Sequence, residues 1–117
     1  MLIAIGTYGE TLGHVDGKGK GVYVVRCDDK SFHTAIPDEA SADDNFFGTA
    51  QLGNLLKNPT YLAAHREASD GQVVLYIVDE RTNPGSVVAA RLNEATGELT
   101  PLGSPVVPHD KDEAAGC

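Results

Sequence analysis

The apolar residues of this chain fall into short runs that are separated by polar, turn-forming stretches. A pattern of two such runs joined by a turn occurs twice, first over 21–37 and again over 85–102. Each copy is preceded by another apolar run, at 2–8 and at 74–80. Short runs of this kind, bounded by Gly, Pro, Asn and Asp, are typical of strands joined by turns. The sequence therefore predicts an all-β fold of antiparallel strands.

Three strands are predicted in the first part of the chain, with a long connection after the first. The run over 2–8 is almost entirely apolar, as in a strand that is covered on both faces. Residues 9–21 contain glycines at five positions and are predicted to be a polar, turn-rich connection. Strands are then predicted over 22–27 and 32–36, with a turn at 28–30.

The next segment, residues 38–58, interrupts this rhythm. It begins with several acidic residues and then carries the pair Phe46 and Phe47 and three leucines. Connections of this length without secondary structure are uncommon in compact domains. The segment is predicted to be a loop insertion, with a helical turn as the alternative.

From residue 59 the pattern becomes regular, and residues 59–108 are predicted to form one four-stranded, up-and-down antiparallel sheet. That is the shape of a propeller blade. Residues 1–37 would then be an incomplete blade of three strands, and 109–117 would start the next connection. Closed propellers often complete one blade with strands from both chain ends, so a fourth strand is expected for the first blade. The four strands of the second blade are predicted over 60–65, 72–79, 86–92 and 99–107.

The charge balance narrows the range of partners. The formal net charge is −8, from 17 acidic and 9 basic residues, and no basic stripe is present. Nucleic acid and anionic membrane surfaces are therefore not expected as partners. No apolar run approaches the roughly 20 residues that span a bilayer, and the N-terminus lacks the pattern of a signal peptide. These features favour a cytoplasmic protein.

Metal and cofactor chemistry is not predicted. The four histidines show no ligand spacing with one another or with the two cysteines. The glycine-rich segment over 13–19 has one residue too few between its first two glycines for a phosphate-binding loop, and Gly19 stands where Ser or Thr should follow the lysine. No cofactor is expected.

Several short segments at strand ends and turns carry a family resemblance. In their order and spacing they resemble the first two blades of the seven-bladed propeller lactonase family, which includes bacterial 6-phosphogluconolactonase and the fungal carboxymuconate-cyclising enzymes. The matching segments are Ile-Gly-Thr-Tyr at 5–8, Lys-Gly-Val-Tyr-Val at 20–24, Asn-Pro-Thr-Tyr-Leu-Ala at 58–63, Leu-Tyr-Ile-Val-Asp-Glu at 75–80, Gly-Ser-Val-Val-Ala-Ala-Arg-Leu at 85–92 and Ala-Thr-Gly-Glu-Leu-Thr at 95–100.

The resemblance implies a seven-bladed β-propeller of which this chain is the N-terminal portion. Seven blades of about 45 residues need more than roughly 300 residues, whereas the chain has 117. A free-standing small β domain is the alternative. The resemblance also implies that the full-length protein hydrolyses 6-phosphogluconolactone to 6-phosphogluconate in the pentose phosphate pathway. It takes a small-molecule sugar lactone and needs no cofactor.

Two other functions are compatible with the same fold. One is a carboxymuconate-type cycloisomerase, or a lactonase of another ring. The other is a propeller that serves as a non-enzymatic binding scaffold, because fold alone does not fix function. The 117-residue chain by itself is predicted to be inactive, since two partial blades lack most of a central channel.

Lactone hydrolysis needs a base that activates water and a donor for the carbonyl oxygen. The family's acid–base and arginine residues are expected mostly beyond Cys117, so the catalytic residues are not assigned. Glu80 is the best substrate-binding candidate, since it ends an apolar strand and the family shows Asn-Glu where this chain has Asp79 and Glu80. Asn58, which caps a turn or faces the channel, and Arg81, as a phosphate ligand, are the other candidates.

Overall fold

The computed structural model describes residues 1–27, 32–34, 49–80 and 85–107. Within these ranges the chain is built from β strands and turns, which confirms the all-β, antiparallel prediction. No helix in the described ranges is long and apolar enough to cross a membrane. The strands are β1 (Leu2–Ile5), β2 (Thr11–Leu12), β3 (Val15–Asp16), β4 (Tyr23–Cys27), β5 (Phe32–Thr34), β6 (Pro59–Arg66), β7 (Val73–Asp79), β8 (Ser86–Leu92) and β9 (Leu99–Pro101).

The first sheet has three strands in the order β1-β4-β5, all antiparallel. Its first strand is shorter than predicted, because β1 ends at Ile5 and not at residue 8. The reason lies at Gly6, where a Cβ would overlap the carbonyl oxygen of Pro59. The backbone of the first sheet therefore comes close to the start of β6 at this point, and the chain then leaves the ladder.

The connection after β1 contains a small hairpin that the sequence pattern did not indicate. Thr11 pairs with Asp16 and Leu12 pairs with Val15. The Thr11 hydroxyl also donates a hydrogen bond to Asp16 Oδ1 at 2.8 Å. Strands of two residues are too short to show an alternating apolar pattern, which is why the turn-rich connection predicted over 9–21 did not include this hairpin.

The second sheet has four antiparallel strands in the order β6-β7-β8-β9. β8 has the predicted bounds, β7 begins one residue later than predicted, and β6 extends one residue further at each end. The last strand is much shorter than the predicted 99–107, since β9 ends at Pro101. Pairing with β8 resumes only at an isolated bridge between Val87 and Val106, because Gly103 has a φ of 149° and turns the chain away in between.

The two sheets share one apolar core. Side chains on one face of β7 and β8 pack against residues of β4 and of the segment before β6, since alternate residues of a strand point to the same side. The division of the chain at residues 37, 58 and 108 stays a prediction. The buried members of the core are Val22, Val24, Leu52, Leu56, Val73, Leu75, Ile77, Val88, Ala90 and Leu99.

The segment before β6 is described from residue 49 onward, and the rest of the predicted insertion lies outside the described residues. Gln51 forms a bridge with Val22, and its side chain reaches the second sheet. There its Nε2 donates to Gly97 O at 2.9 Å, and its Oε1 accepts from Leu99 N at 2.7 Å. A single tight turn follows, in which Leu52 has a φ of 62° and accepts hydrogen bonds from two later amides.

Candidate functional site

The end of β7 places two carboxylates side by side in different surroundings. Asp79 is fully buried, whereas Glu80, the next residue, is partly exposed. Asp79 Oδ1 accepts hydrogen bonds from the backbone N–H groups of Lys57 at 3.0 Å and of Asn58 at 2.7 Å. Asp79 therefore fixes the backbone just before β6, opposite the end of β7.

Asn58 ties three parts of the chain together from a position with no solvent exposure. Its Oδ1 accepts from the backbone N–H groups of Gly9 and Glu10, both at 3.0 Å. Its Nδ2 donates to Glu10 Oε1 at 3.1 Å and to the backbone carbonyl of Glu80 at 2.8 Å. These bonds use both amide hydrogens and both lone pairs of the side chain. Asn58 therefore holds the backbone of Gly9, Glu10 and Glu80 together.

The carboxylate of Glu80 is oriented by two hydroxyl groups. Tyr8 Oη donates to Glu80 Oε2 at 2.8 Å, and Thr60 Oγ1 donates to the same oxygen at 2.9 Å. Thr60 lies at a β-bulge, between the residue pairs made by Pro59 and Tyr61. Bulges redirect side chains next to functional sites. Among the described residues no hydrogen bond reaches Glu80 Oε1, which leaves this oxygen for a ligand.

The electrostatics keep Glu80 ionised. The hydrogen bond from Tyr8 is the main cause that lowers the pKa of Glu80 below its ordinary value, and the bond from Thr60 is the next. Partial burial opposes this shift, and an electrostatic contribution from His14 adds to it. At neutral pH the side chain is therefore a carboxylate that accepts hydrogen bonds, and it has no proton to donate as a general acid.

The β2–β3 hairpin brings His14 to this cluster. The imidazole ring packs edge-on against the ring of Tyr8, with ring centroids 5.4 Å apart and an interplanar angle of 85°. Tyr8 thus lies between His14 and Glu80. The site surface, defined here by Tyr8, His14, Thr60 and Glu80, is built from residues that are far apart in sequence.

Comparison with known families supplies the decisive observation. A family model described as "Lactonase, 7-bladed beta-propeller" matches residues 2–114. The chain belongs to this lactonase family. This confirms the resemblance seen in the sequence and identifies the two sheets as blades of a seven-bladed propeller. No curated protein and no solved structure matches the chain.

The structure describes two of the three predicted substrate-binding candidates. Asn58 and Glu80 are brought together, and Asn58 Nδ2 bonds to the backbone of Glu80. Arg81 lies outside the described residues. The direct substrate role predicted for each of these residues stays a prediction. What the geometry adds is a distinction: Glu80 is accessible, while Asn58 is buried beneath it.

Three members of the site surface were missed by the sequence reasoning. Tyr8 belongs to the Ile-Gly-Thr-Tyr segment at 5–8 and Thr60 to the Asn-Pro-Thr segment at 58–60, so the family resemblance already pointed to both stretches. His14 had no such signal, because its position depends on a hairpin without a sequence pattern. In the described part of the chain, no group of three or more His, Cys, Asp or Glu side chains is arranged to hold a metal ion.

Proposed function

We propose that the protein acts as a lactonase on a sugar lactone and that Glu80 binds substrate hydroxyl groups at the site surface. The observation that carries the proposal is the family match over residues 2–114. The geometry around Glu80 supports it, since an ionised carboxylate that is held by two hydroxyls offers its second oxygen to a ligand. Sugar lactones present several O–H donors that suit such an acceptor.

The preferred substrate is 6-phosphogluconolactone, which would be hydrolysed to 6-phosphogluconate in the cytoplasmic pentose phosphate pathway. Hydrolysis itself is assigned to groups on other blades, because a base for water and a donor for the carbonyl oxygen are both needed. Glu80 is poorly suited to act as a general acid, because its pKa is lowered. Its role is to position the ring of the lactone.

The phosphate group of this substrate has to bind away from Glu80. Glu10, Asp79 and Glu80 all take part in the hydrogen-bond network at the end of β7. Their negative charge would repel a phosphate dianion. The proposal therefore places the sugar hydroxyls at the site surface and the phosphate against cationic groups away from it. The phosphate role predicted for Arg81, which lies outside the described residues, stays a prediction.

The direct test is an assay of the protein with its full set of blades on 6-phosphogluconolactone, measured against the spontaneous hydrolysis of the lactone. We expect a strong acceleration that does not require added metal. Acceleration with unphosphorylated lactones only would reject the phosphorylated substrate. Activity with carboxymuconate lactone and none with sugar lactones would assign the cycloisomerase function. Binding of a lactone without turnover of any of these compounds would indicate a scaffold.

A further inference from the structure

The β2–β3 hairpin stands beside the site surface on a base that is fixed on both sides. Before the hairpin, the N–H group of Gly9 donates to the backbone carbonyl of Lys57 at 3.0 Å as well as to Asn58. After the hairpin, the N–H group of Gly19 donates to the carbonyl of Tyr8 at 2.8 Å. The hairpin is thus attached both to the residues before β6 and to the segment that carries Tyr8.

A glycine closes the base of the hairpin. At Gly17 a Cβ would overlap the backbone carbonyl oxygens of Tyr8 and Glu10, so the chain comes this close only because the residue has no side chain. Within the hairpin, the hydrogen bond from Thr11 to Asp16 joins the two short strands. These contacts stabilise the hairpin in the position that brings its tip to the ring of Tyr8.

His14 lies in the two-residue turn at the tip, between the paired residues Leu12 and Val15. It is exposed, and its ring contacts that of Tyr8. In the described part of the chain, no hydrogen bond or ion pair joins the ring nitrogens of His14 to another residue. The ring nevertheless lies near enough to Glu80 to act on the electrostatics of that carboxylate. A ligand can therefore bridge the nitrogens of His14 and the unused oxygen of Glu80.

We propose that His14 is a substrate-binding residue that acts together with Glu80, and that the pair recognises two neighbouring hydroxyl groups on the lactone ring. A carboxylate only accepts hydrogen bonds, whereas an imidazole carries an N–H donor in either protonation state. One hydroxyl therefore donates to Glu80 Oε1, and the oxygen of its neighbour accepts from His14. The inference rests on the proposed function, since it takes a hydroxylated lactone as the ligand. It adds that the β2–β3 hairpin supplies specificity for adjacent hydroxyls.

The alternative role for His14 is to hold the ring of Tyr8, whose hydroxyl orients Glu80. The two roles need different parts of the side chain, since packing needs an aromatic ring and ligand binding needs an N–H donor. His14→Phe keeps a ring and removes the donor, whereas His14→Gln keeps an N–H donor and removes the ring. Lys18→Ala is the control for a change beside the hairpin, because the exposed ion pair of Lys18 with Asp16 contributes little to stability.

The test measures, by titration calorimetry, the binding of δ-gluconolactam to the protein with its full set of blades. This lactam carries the ring hydroxyls and resists hydrolysis, and δ-valerolactam, which has no hydroxyl groups, is the reference ligand. The unsubstituted protein and Lys18→Ala should bind δ-gluconolactam equally and about tenfold or more tightly than δ-valerolactam. His14→Phe should raise the Kd for δ-gluconolactam by roughly threefold to tenfold, the loss of one hydrogen bond. His14→Gln should raise it less.

An unchanged Kd for His14→Phe would overturn the inference, as would binding by His14→Gln that is no tighter than by His14→Phe, because the ring and not the donor would then matter. Equal binding of the two lactams, or no binding of δ-gluconolactam by the unsubstituted protein, would also overturn it. Hydrolysis of 6-phosphogluconolactone by the same proteins separates the inference from the proposed function. Turnover with lactam binding that is independent of His14 rejects the inference alone. Lactam binding that depends on His14, without turnover, rejects the lactonase function and leaves the recognition of the hydroxyls in place.

Discussion

Asp79 holds the backbone of the site where the chain enters β6. It stands where the family shows Asn, and one of its oxygens accepts the two backbone N–H groups that lead into β6. The Oδ1 of an asparagine can accept the same pair of bonds. The departure from the family pattern therefore keeps an acceptor for these two backbone N–H groups.

This role predicts a clear difference between two substitutions. Asp79→Asn should lower the free energy of unfolding less than Asp79→Ala does, because the acceptor for these two N–H groups stays in place. Asp79→Ala should lower it by about 1–3 kcal/mol for each buried donor left unpaired. Urea unfolding of both variants measures the difference. Equal destabilisation by the two substitutions would show that the charge, and not the acceptor, holds the turn.

Glu80 predicts a dependence of stability on pH. Its pKa is lower in the folded protein than in the unfolded chain, where the pKa of a glutamate is about 4.3. Its stabilising contribution is therefore complete above that unfolded-state value and is lost as the pH falls through the lower folded value. Glu80→Gln should destabilise the protein at pH 7 and have a smaller effect near pH 3.

The pH dependence of stability must be compared between the unsubstituted protein and Glu80→Gln. Asp16 and Glu94 also have lowered pKa values and contribute to the pH dependence of both proteins. Their contributions are the same in both proteins and cancel in the difference. A destabilisation by Glu80→Gln that stays constant between pH 7 and pH 3 would contradict the hydrogen bonds from Tyr8 and Thr60. Chemical denaturation across this pH range supplies the measurement.

At this scale the sequence could identify Glu80 but not its surroundings. A carboxylate directly after an apolar strand is visible in the pattern, and the family resemblance drew attention to it. The hydrogen bond from Tyr8 spans 72 positions along the chain, and such a contact depends on how the sheets pack. The burial of Asn58 has the same origin, since it needs Gly9, Glu10 and Glu80 around it.

Among the elements, the length of β1 is limited by the close contact between Gly6 and the start of β6. Gly6 allows that approach because it lacks a side chain. Gly6→Ala should force the two strands apart and lower the free energy of unfolding by roughly 1–3 kcal/mol, the usual cost of overpacking. Gly13→Ala is the matched control, since a Cβ there has nothing within 4 Å, and it should change stability by no more than about 0.5 kcal/mol.

Thermal or urea unfolding of the two alanine variants is the measurement. Similar stability of both proteins would mean that β1 and β6 do not approach as closely as described. The same contact explains why β1 is shorter than its apolar run, since residues 6–8 are turned toward the second sheet and the site. Apolar composition predicted the strand, and a contact distant in sequence determined where it ends.

The elements of the second sheet were more predictable than those of the first. β6, β7 and β8 consist of apolar runs that end at clear turn signals in the sequence. The observed ends of these strands lie within one residue of the predicted ends. The β2–β3 hairpin has two residues in each strand and gives no periodic signal. The predicted length of β9 was too great, because apolar residues continue up to Val107, beyond the turn at Gly103.

For the whole molecule, the two sheets act as one unit because they share a core and are joined by polar bridges. Gln51 links the first sheet to the turn before β9 through hydrogen bonds at 2.9 and 2.7 Å. Arg26 reaches the carbonyl of Ala95 in the same turn. These bonds add to the shared core in holding the two sheets together.

The central claim is that these blades belong to a working lactonase in which Glu80 contacts the substrate. The most direct measurement compares the steady-state hydrolysis of 6-phosphogluconolactone by the protein with its full set of blades, by its Glu80→Gln variant and by a control, Glu67→Gln. Glu67 is an acidic residue in the turn after β6, away from the site. All three proteins should first show equal cooperative unfolding at the assay pH or be corrected for the folded fraction.

We expect Glu80→Gln to reduce kcat/KM by roughly tenfold to a hundredfold, the loss that corresponds to a hydrogen bond to a charged group. Because Glu80 positions the ring of the lactone, part of that loss should appear as a higher KM. Glu67→Gln should match the unsubstituted protein. Unchanged kinetics of Glu80→Gln, or no acceleration over spontaneous hydrolysis by any of the three proteins, would contradict the account.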